Sequence, residues 1–169
     1  MNPIETERLV IRRLSLDDAE FIVELLNDPA FIRFIGDRGV RTPEDARAYL
    51  QKGPLASYER FGFGLYLTAL KTDGTPIGIC GLLKRDMLQD VDIGFAFLPR
   101  FVGQGYANEA AIAVMDHGKN DFALKRLVAV ANSDNESSIK LLEKLGLRYE
   151  QMVRLAENGP DLRLYGREL

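Results

Sequence analysis

Apolar residues along this chain follow two periods, and the changes between them divide it into elements. Arg8-Leu9-Val10-Ile11-Arg12-Arg13-Leu14 reads as a first strand. Ser15, three residues before Asp18, resembles a capping box with Asp in the Glu slot. Phe21, Ile22, Leu25 and Leu26 then recur at helical spacing, and Asn27-Asp28-Pro29 stops that helix. Thr42-Pro43-Glu44-Asp45 opens a second helix with a cap, a proline at the first position and acids at the positive end of the dipole. Phe63 to Leu70, Ile77 to Leu83 and Asp90 to Leu98 read as strands, the first two separated by the turn Lys71-Thr72-Asp73-Gly74-Thr75-Pro76. Short connections make these three an antiparallel meander.

The pattern changes after Pro99. Gly103-Gln104-Gly105 leads into a helix of roughly 105–118, with Ala107, Ala111, Val114 and Gly118 on one face, small enough for close packing. Arg126 to Ala131 is a short, nearly all-apolar strand, which implies burial on both faces. Strand, helix and strand form a βαβ unit, so 90–98 and 126–131 should run parallel. A helix over 135–145, ended by Gly146, and a hairpin of strands near 147–156 and 162–168 complete the chain. The expected class is α/β (α+β): a mixed, mostly antiparallel central sheet with helices on both faces. The 169 residues are expected to form one domain, 1–169.

Bulk properties narrow the chemistry. The chain is 46% apolar and 28% charged, with a net charge of −3 and no basic run, which argues against nucleic acid as a partner. Cys80 and His117 are the only residues of their kinds, too few for a zinc site, and no metal is expected. Cys80 sits in an apolar strand and reads as a core residue. No G-x-S-x-G elbow accompanies His117. The polar start, Met1 to Arg8, carries no signal-peptide core, and no run of about 18 apolar residues occurs. A cytoplasmic protein without a membrane partner is the expectation.

Two segments carry candidate chemistry. In Val102-Gly103-Gln104-Gly105-Tyr106-Ala107, the glycines let the backbone turn tightly and approach a ligand, and the helix that follows offers unpaired amides and a positive dipole end. Such a turn suits a pyrophosphate, although glycines also serve plain strand–helix turns. No Gly-Lys-Ser/Thr follows, and Asn108 replaces the third glycine of the dinucleotide fingerprint. About 30 residues on, Asn135 and Ser138 lie one turn apart at a helix start, where they can meet a ligand or simply cap the helix.

Pro99-x-x-x-Gly103-x-Gly105-Tyr106-Ala107-Asn108-Glu109-Ala110, together with Asn135-x-x-Ser138 and Leu142-Glu143-Lys144-Leu145-Gly146, resembles the GNAT acetyltransferase superfamily. Thr6-Glu7-Arg8-Leu9-Val10-Ile11-Arg12 and Gly105-Tyr106-Ala107-x-Glu109-Ala110 resemble its RimJ/RimL-type branch. The resemblance covers nearly the whole chain and implies that the two parallel strands splay apart to receive acetyl-CoA. The pantetheine arm would pair with backbone at Phe95, Ala96 and Phe97, the pyrophosphate would rest on the amides of 102–107, and Asn135 and Ser138 would meet the arm from the other side. Val102 stands where the family often has Gln or Arg; Arg100 fits the bare motif at a different spacing. Leu142 fills the slot where relatives often place a tyrosine acid, leaving Ser138 or a water as a substitute. Asp92 matches a family carboxylate and is the candidate base; Glu109 matches another and is read as ordering the fold. The resemblance implies direct acetyl transfer to a primary amine, a protein N-terminus or a small molecule such as an aminoglycoside, by a monomer or homodimer. Acceptor loops are expected in 29–62, 84–90 and 157–161, with Phe31, Phe34, Tyr58 and Phe61 as pocket or core residues. The alternatives are a non-catalytic acyl-CoA-binding or sensor domain, which the leucine at 142 favours, and a nucleotide-binding domain unrelated to CoA.

Overall fold

The computed structural model describes residues 1–169. Along the chain lie β1 (Ile4–Glu5), β2 (Leu9–Arg13), α1 (Ala19–Leu26), α2 (Pro29–Phe34), α3 (Pro43–Leu50), α4 (Ala56–Phe61), β3 (Leu65–Leu70) and β4 (Pro76–Leu83). They are followed by β5 (Asp92–Phe97), α5 (Tyr106–Phe122), β6 (Arg126–Ala131), α6 (Glu136–Lys144), β7 (Arg148–Val153) and β8 (Leu162–Glu168). The eight strands form one sheet in the order β1-β2-β3-β4-β5-β6-β8-β7. Only β5 and β6 are parallel, as the βαβ reading requires. Both β3-β4-β5 and β7-β8 are antiparallel.

Helices cover both faces. On one, α5 and α6 bury Ala110, Ala111, Val114, Leu142 and Leu145 against Ile77, Cys80, Leu82 and Leu127. On the other, Ile22, Leu25 and Leu26 of α1 and Ala46 and Leu50 of α3 pack on Leu67, Ala69 and Ile79. Gly118 does not end α5. A Cβ there would lie 3.1 Å from Leu124 and 3.4 Å from Leu82, so the glycine permits close packing while the helix runs on to Phe122. At the end of α6, Gly146 adopts φ +90°; its N–H bonds Glu143 O and that of Leu147 bonds Leu142 O, the paired closure of a Schellman motif.

The segment 29–62, expected as acceptor loops, is mostly helical. Asp28 accepts from the amides of Ala30 and Phe31 and caps α2, whose first residue is Pro29, so Asn27-Asp28-Pro29 ends one helix and begins the next. Thr42 and Asp45 form the capping box of α3. The chain then passes through a π-helical turn, Gln51–Leu55, into α4. Pro54 lies within that turn; it has no N–H to donate and would crowd a regular α-helix. Phe31 and Tyr58 are core residues.

Candidate functional site

The β5–β6 pair is bridged once, at Asp92 and Val128, and beyond that point the strands are unpaired. Backbone direction along β5 follows from two bonds: Leu98 N–H reaches Ile77 O on β4, and Val91 O accepts from Val128 N–H on β6. Alternation then turns Phe95 and Phe97 toward the open side and Ala96 toward β4. Of the three residues expected to pair with pantetheine, Phe95 and Phe97 offer backbone N–H and C=O groups to the gap, and Ala96 does not.

Both helix N-termini flank the C-terminal ends of these strands. Gly103 and Gly105 adopt φ +83° and +84°, the left-handed region where glycine is unstrained. The N–H groups of residues 103–108 have no hydrogen-bond acceptor within the protein. Val102 is different: its N–H donates to Pro99 O at 3.1 Å, and its side chain is exposed. The free run is therefore displaced by one residue from the expected 102–107 and gains Asn108. Gln104 turns its side-chain amide back onto Arg100 O, and Arg100 pairs with Glu24 on α1, so neither side chain is committed to the turn.

A cation that the sequence did not assign to the site stands beside this turn. Arg8 stacks 4.3 Å over the Tyr106 ring, donates from Nη1 to Gln104 O at 3.0 Å and from Nε to Glu109 at 2.7 Å. Glu109 also accepts from Arg8 N–H and Thr6 Oγ1. Desolvation raises the Glu109 carboxyl, but these hydrogen bonds outweigh it and hold the group below its ordinary value. Glu109 thus ties the strand start to α5, in keeping with the ordering role expected for it. Arg8 and Glu109 are 101 residues apart, and only their separate presence in the two quoted motifs could have joined them.

Across the gap, Asn135 caps α6, its Oδ1 accepting from Ser138 N–H at 3.3 Å, while the Ser138 hydroxyl has no partner in the protein. Leu142 is fully buried in the core. Asp92 is not a solvated surface acid. It is 0% exposed, and both its oxygens lie within 3.1–3.2 Å of Arg85 Nε. Burial pushes its carboxyl up to about 6, with the Arg85 charge and hydrogen bond opposing. Cys80 is buried and its thiol is pushed up by desolvation, which leaves it inert.

On the face shared by Asp92, Gly94 and Ala96 lies a recess of about 270 Å³, lined among others by Tyr49, Lys52, Arg60, Leu65, Leu83 and Lys84. A Cβ on Gly94 would lie 2.8 Å from Leu83 and 3.6 Å from Leu65, so these two side chains of the recess wall stand between it and β5. Phe61 lines it as well. A larger hollow of about 500 Å³ lies along α5, among Ile4, Glu5, Asp116 and His117, and shares Thr6 and Glu109 with the groups above. His117 there contacts Tyr66 Oη at 3.1 Å and Asp121, away from the gap.

Residues 8–148 match the model of a family described as the acetyltransferase (GNAT) domain. The uncharacterized N-acetyltransferase YnaD of Bacillus subtilis is 31% identical over 147 residues, 87% of this chain and 83% of that protein. An acetyltransferase of the GNAT family from Bacillus anthracis superposes with a TM-score of 0.80 at 26% identity, covering 99% of this chain and 98% of that one. RimL, a ribosomal-protein alpha-N acetyltransferase in complex with coenzyme A, superposes with a TM-score of 0.85 at 19% identity, over 99% and 98% of the two chains.

Proposed function

Because the chain belongs to the GNAT acetyltransferase family, matched over residues 8–148, we propose that it moves an acetyl group from acetyl-CoA directly to a primary amine. The observation that carries this reading is the splayed β5–β6 pair, closed at Asp92 and Val128 and flanked by six acceptor-less amides at 103–108. These groups fit the cofactor. Phe95 and Phe97 can pair with an extended amide-bearing arm, and a positive helix end with free N–H groups suits a pyrophosphate. Asn135 and Ser138 close the gap from the β6 side.

Acetyl-CoA supplies the acetyl group as a thioester, already activated toward an amine. Asp92 takes the proton of the incoming amine, directly or through a water. Desolvation gives its carboxylate more basicity than a surface aspartate has, with the Arg85 charge and hydrogen bond opposing. Ser138, with its unpaired hydroxyl, is the proton donor opposite. Leu142 cannot serve, being an apolar side chain in the core. The acceptor is a small-molecule amine or a protein N-terminus. We place the chain nearest the RimJ/RimL-type branch because Thr6, Arg8 and Glu109, from the two motifs that suggested it, meet at one junction. The reading takes 1–169 as one domain. No helix is long and apolar enough to cross a membrane.

Acetyl-CoA turnover with a panel of amines, followed as free thiol, tests the proposal. Amine-dependent thiol release is the expected result. Saturable acetyl-CoA binding with no release for any amine would instead make the protein an acyl-CoA sensor.

A further inference from the structure

We infer that the acceptor recess takes a small amine whose own molecule carries an anionic group, a carboxylate or a phosphate, in preference to a neutral or polycationic amine. This rests on the acetyl-transfer reading above. The recess lies on the sheet face that carries Asp92 and Gly94, with Leu65 and Leu83 of its wall packed over Gly94, and it is the hollow on that face in which the non-reacting part of an acceptor would rest. Three cations line it, Lys52, Arg60 and Lys84, and no carboxylate does.

None of the three is neutralised. Lys52 and Arg60 make no ion pair, the Arg60 guanidinium lying 4.8 Å over the Phe61 ring. Lys84 donates to the carbonyls of Arg85 and Leu88, which fixes its position and leaves its charge intact. The half-buried Tyr49, also in the lining, stands in the field of Arg38 and Arg85. The sign is local, because the chain as a whole has 25 acidic against 22 basic residues. The larger hollow along α5 has the opposite character, with Glu5, Glu109, Asp116 and Asp121 in its wall. A polyamine or aminoglycoside would therefore bring its extra positive charges against like charges, whereas a carboxylate or phosphate would find three donors. At about 270 Å³ the space is small beside the ~300–1,000 Å³ of ordinary ligand sites, and it suits an acceptor of amino-acid size.

The test uses matched amines with acetyl-CoA: β-alanine against its amide, phosphoethanolamine against ethanolamine, with spermidine and kanamycin as polycations. Rates are compared at equal free-amine concentration. At least one anionic partner should show kcat/KM higher than its neutral match by on the order of tenfold, and the two pairs distinguish carboxylate from phosphate. Lys52→Gln and Arg60→Gln should each shrink that ratio about two- to fivefold through KM, the size of a partly exposed ion pair. Equal or better use of neutral or polycationic amines would overturn the inference and leave the acetyl-transfer reading standing. Binding of acetyl-CoA with no acetylation of any amine would overturn both.

Discussion

Asp92→Asn should remove the loss of stability that this group brings as pH rises to neutral, and with it most of the activity. The carboxyl is fully buried, and desolvation lifts it from 3.8 to about 6 despite the opposing charge and hydrogen bond of Arg85. An acid raised in the folded state binds its proton more tightly there than in the unfolded chain. Its contribution to stability is therefore complete below 3.8 and is lost as pH rises through about 6. The displacement corresponds to about 3 kcal/mol, of which about 2 kcal/mol falls between roughly pH 4.5 and 7.5. Asparagine keeps the shape and carries no charge at any pH, so the variant escapes this loss. Urea unfolding of parent and variant across that window isolates the group, since every other titration cancels in the difference. The difference should move in favour of the variant by about 2 kcal/mol as pH rises. In the same protein, turnover should fall by about 10²-fold with little change in CoA affinity, the range for loss of a general base. A stability difference that does not vary with pH would refute the burial argument; full activity with an unchanged acidic limb would refute the catalytic one.

Other outcomes follow from the same geometry. CoA at 100 times its dissociation constant should add roughly 2.7 kcal/mol of stability, read as a thermal shift that ATP and NAD do not reproduce; an equal response to all three would remove the CoA assignment. Gly105→Asp should abolish CoA binding in a chain that keeps its circular dichroism, because at φ +84° a side chain is strained and its Cβ would crowd Arg8 Nη2 at 3.2 Å, disturbing the turn; unchanged affinity in a folded variant would take this turn out of the site. Leu142→Ala should cost about 2–5 kcal/mol in chemical unfolding, as expected for a fully buried leucine, and a loss below about 1 kcal/mol would place the side chain outside the core.

What could be read from the sequence was local. The helix cap at Thr42, the glycine closure after Leu145 and the parallel pair each follow from a few adjacent residues or from one crossover. Where one signal has two uses, the reading failed. Asn27-Asp28-Pro29 was legible as a stop, but the same aspartate and proline start α2, and from there to α4 the chain is helical rather than looped. Pro54, within that stretch, is housed in a wide turn. Asp92 was legible as a strand carboxylate on the face of Gly94 and Ala96. Its pairing with Arg85 comes through the irregular segment between β4 and β5, which no period describes. Likewise Lys52, Arg60 and Lys84 converge on one recess from two helical segments and a strand end, so no charge run along the chain marks it.

The phosphate turn shows why a backbone site survives without its usual side chain. Glu109 lies in the first turn of α5, where a carboxylate stabilises the helix and would also repel a pyrophosphate. The hydrogen bonds from Thr6 and Arg8 keep it ionised, so its charge is present. Arg8 supplies the opposing charge at 2.7 Å, and its Nη1 is fixed on Gln104 O. The pair is close to neutral when seen from the turn. What remains to attract an anion is the helix end itself, with the free N–H groups of residues 103–108. These groups do not depend on the side chain at 102, which is why a valine whose own amide is taken by Pro99 can stand there. The same reasoning makes Arg8 a support of the turn through Glu109. Removing Arg8 would leave the Glu109 charge uncompensated beside the anion site, and so would weaken phosphate binding even if Arg8 never touches the ligand.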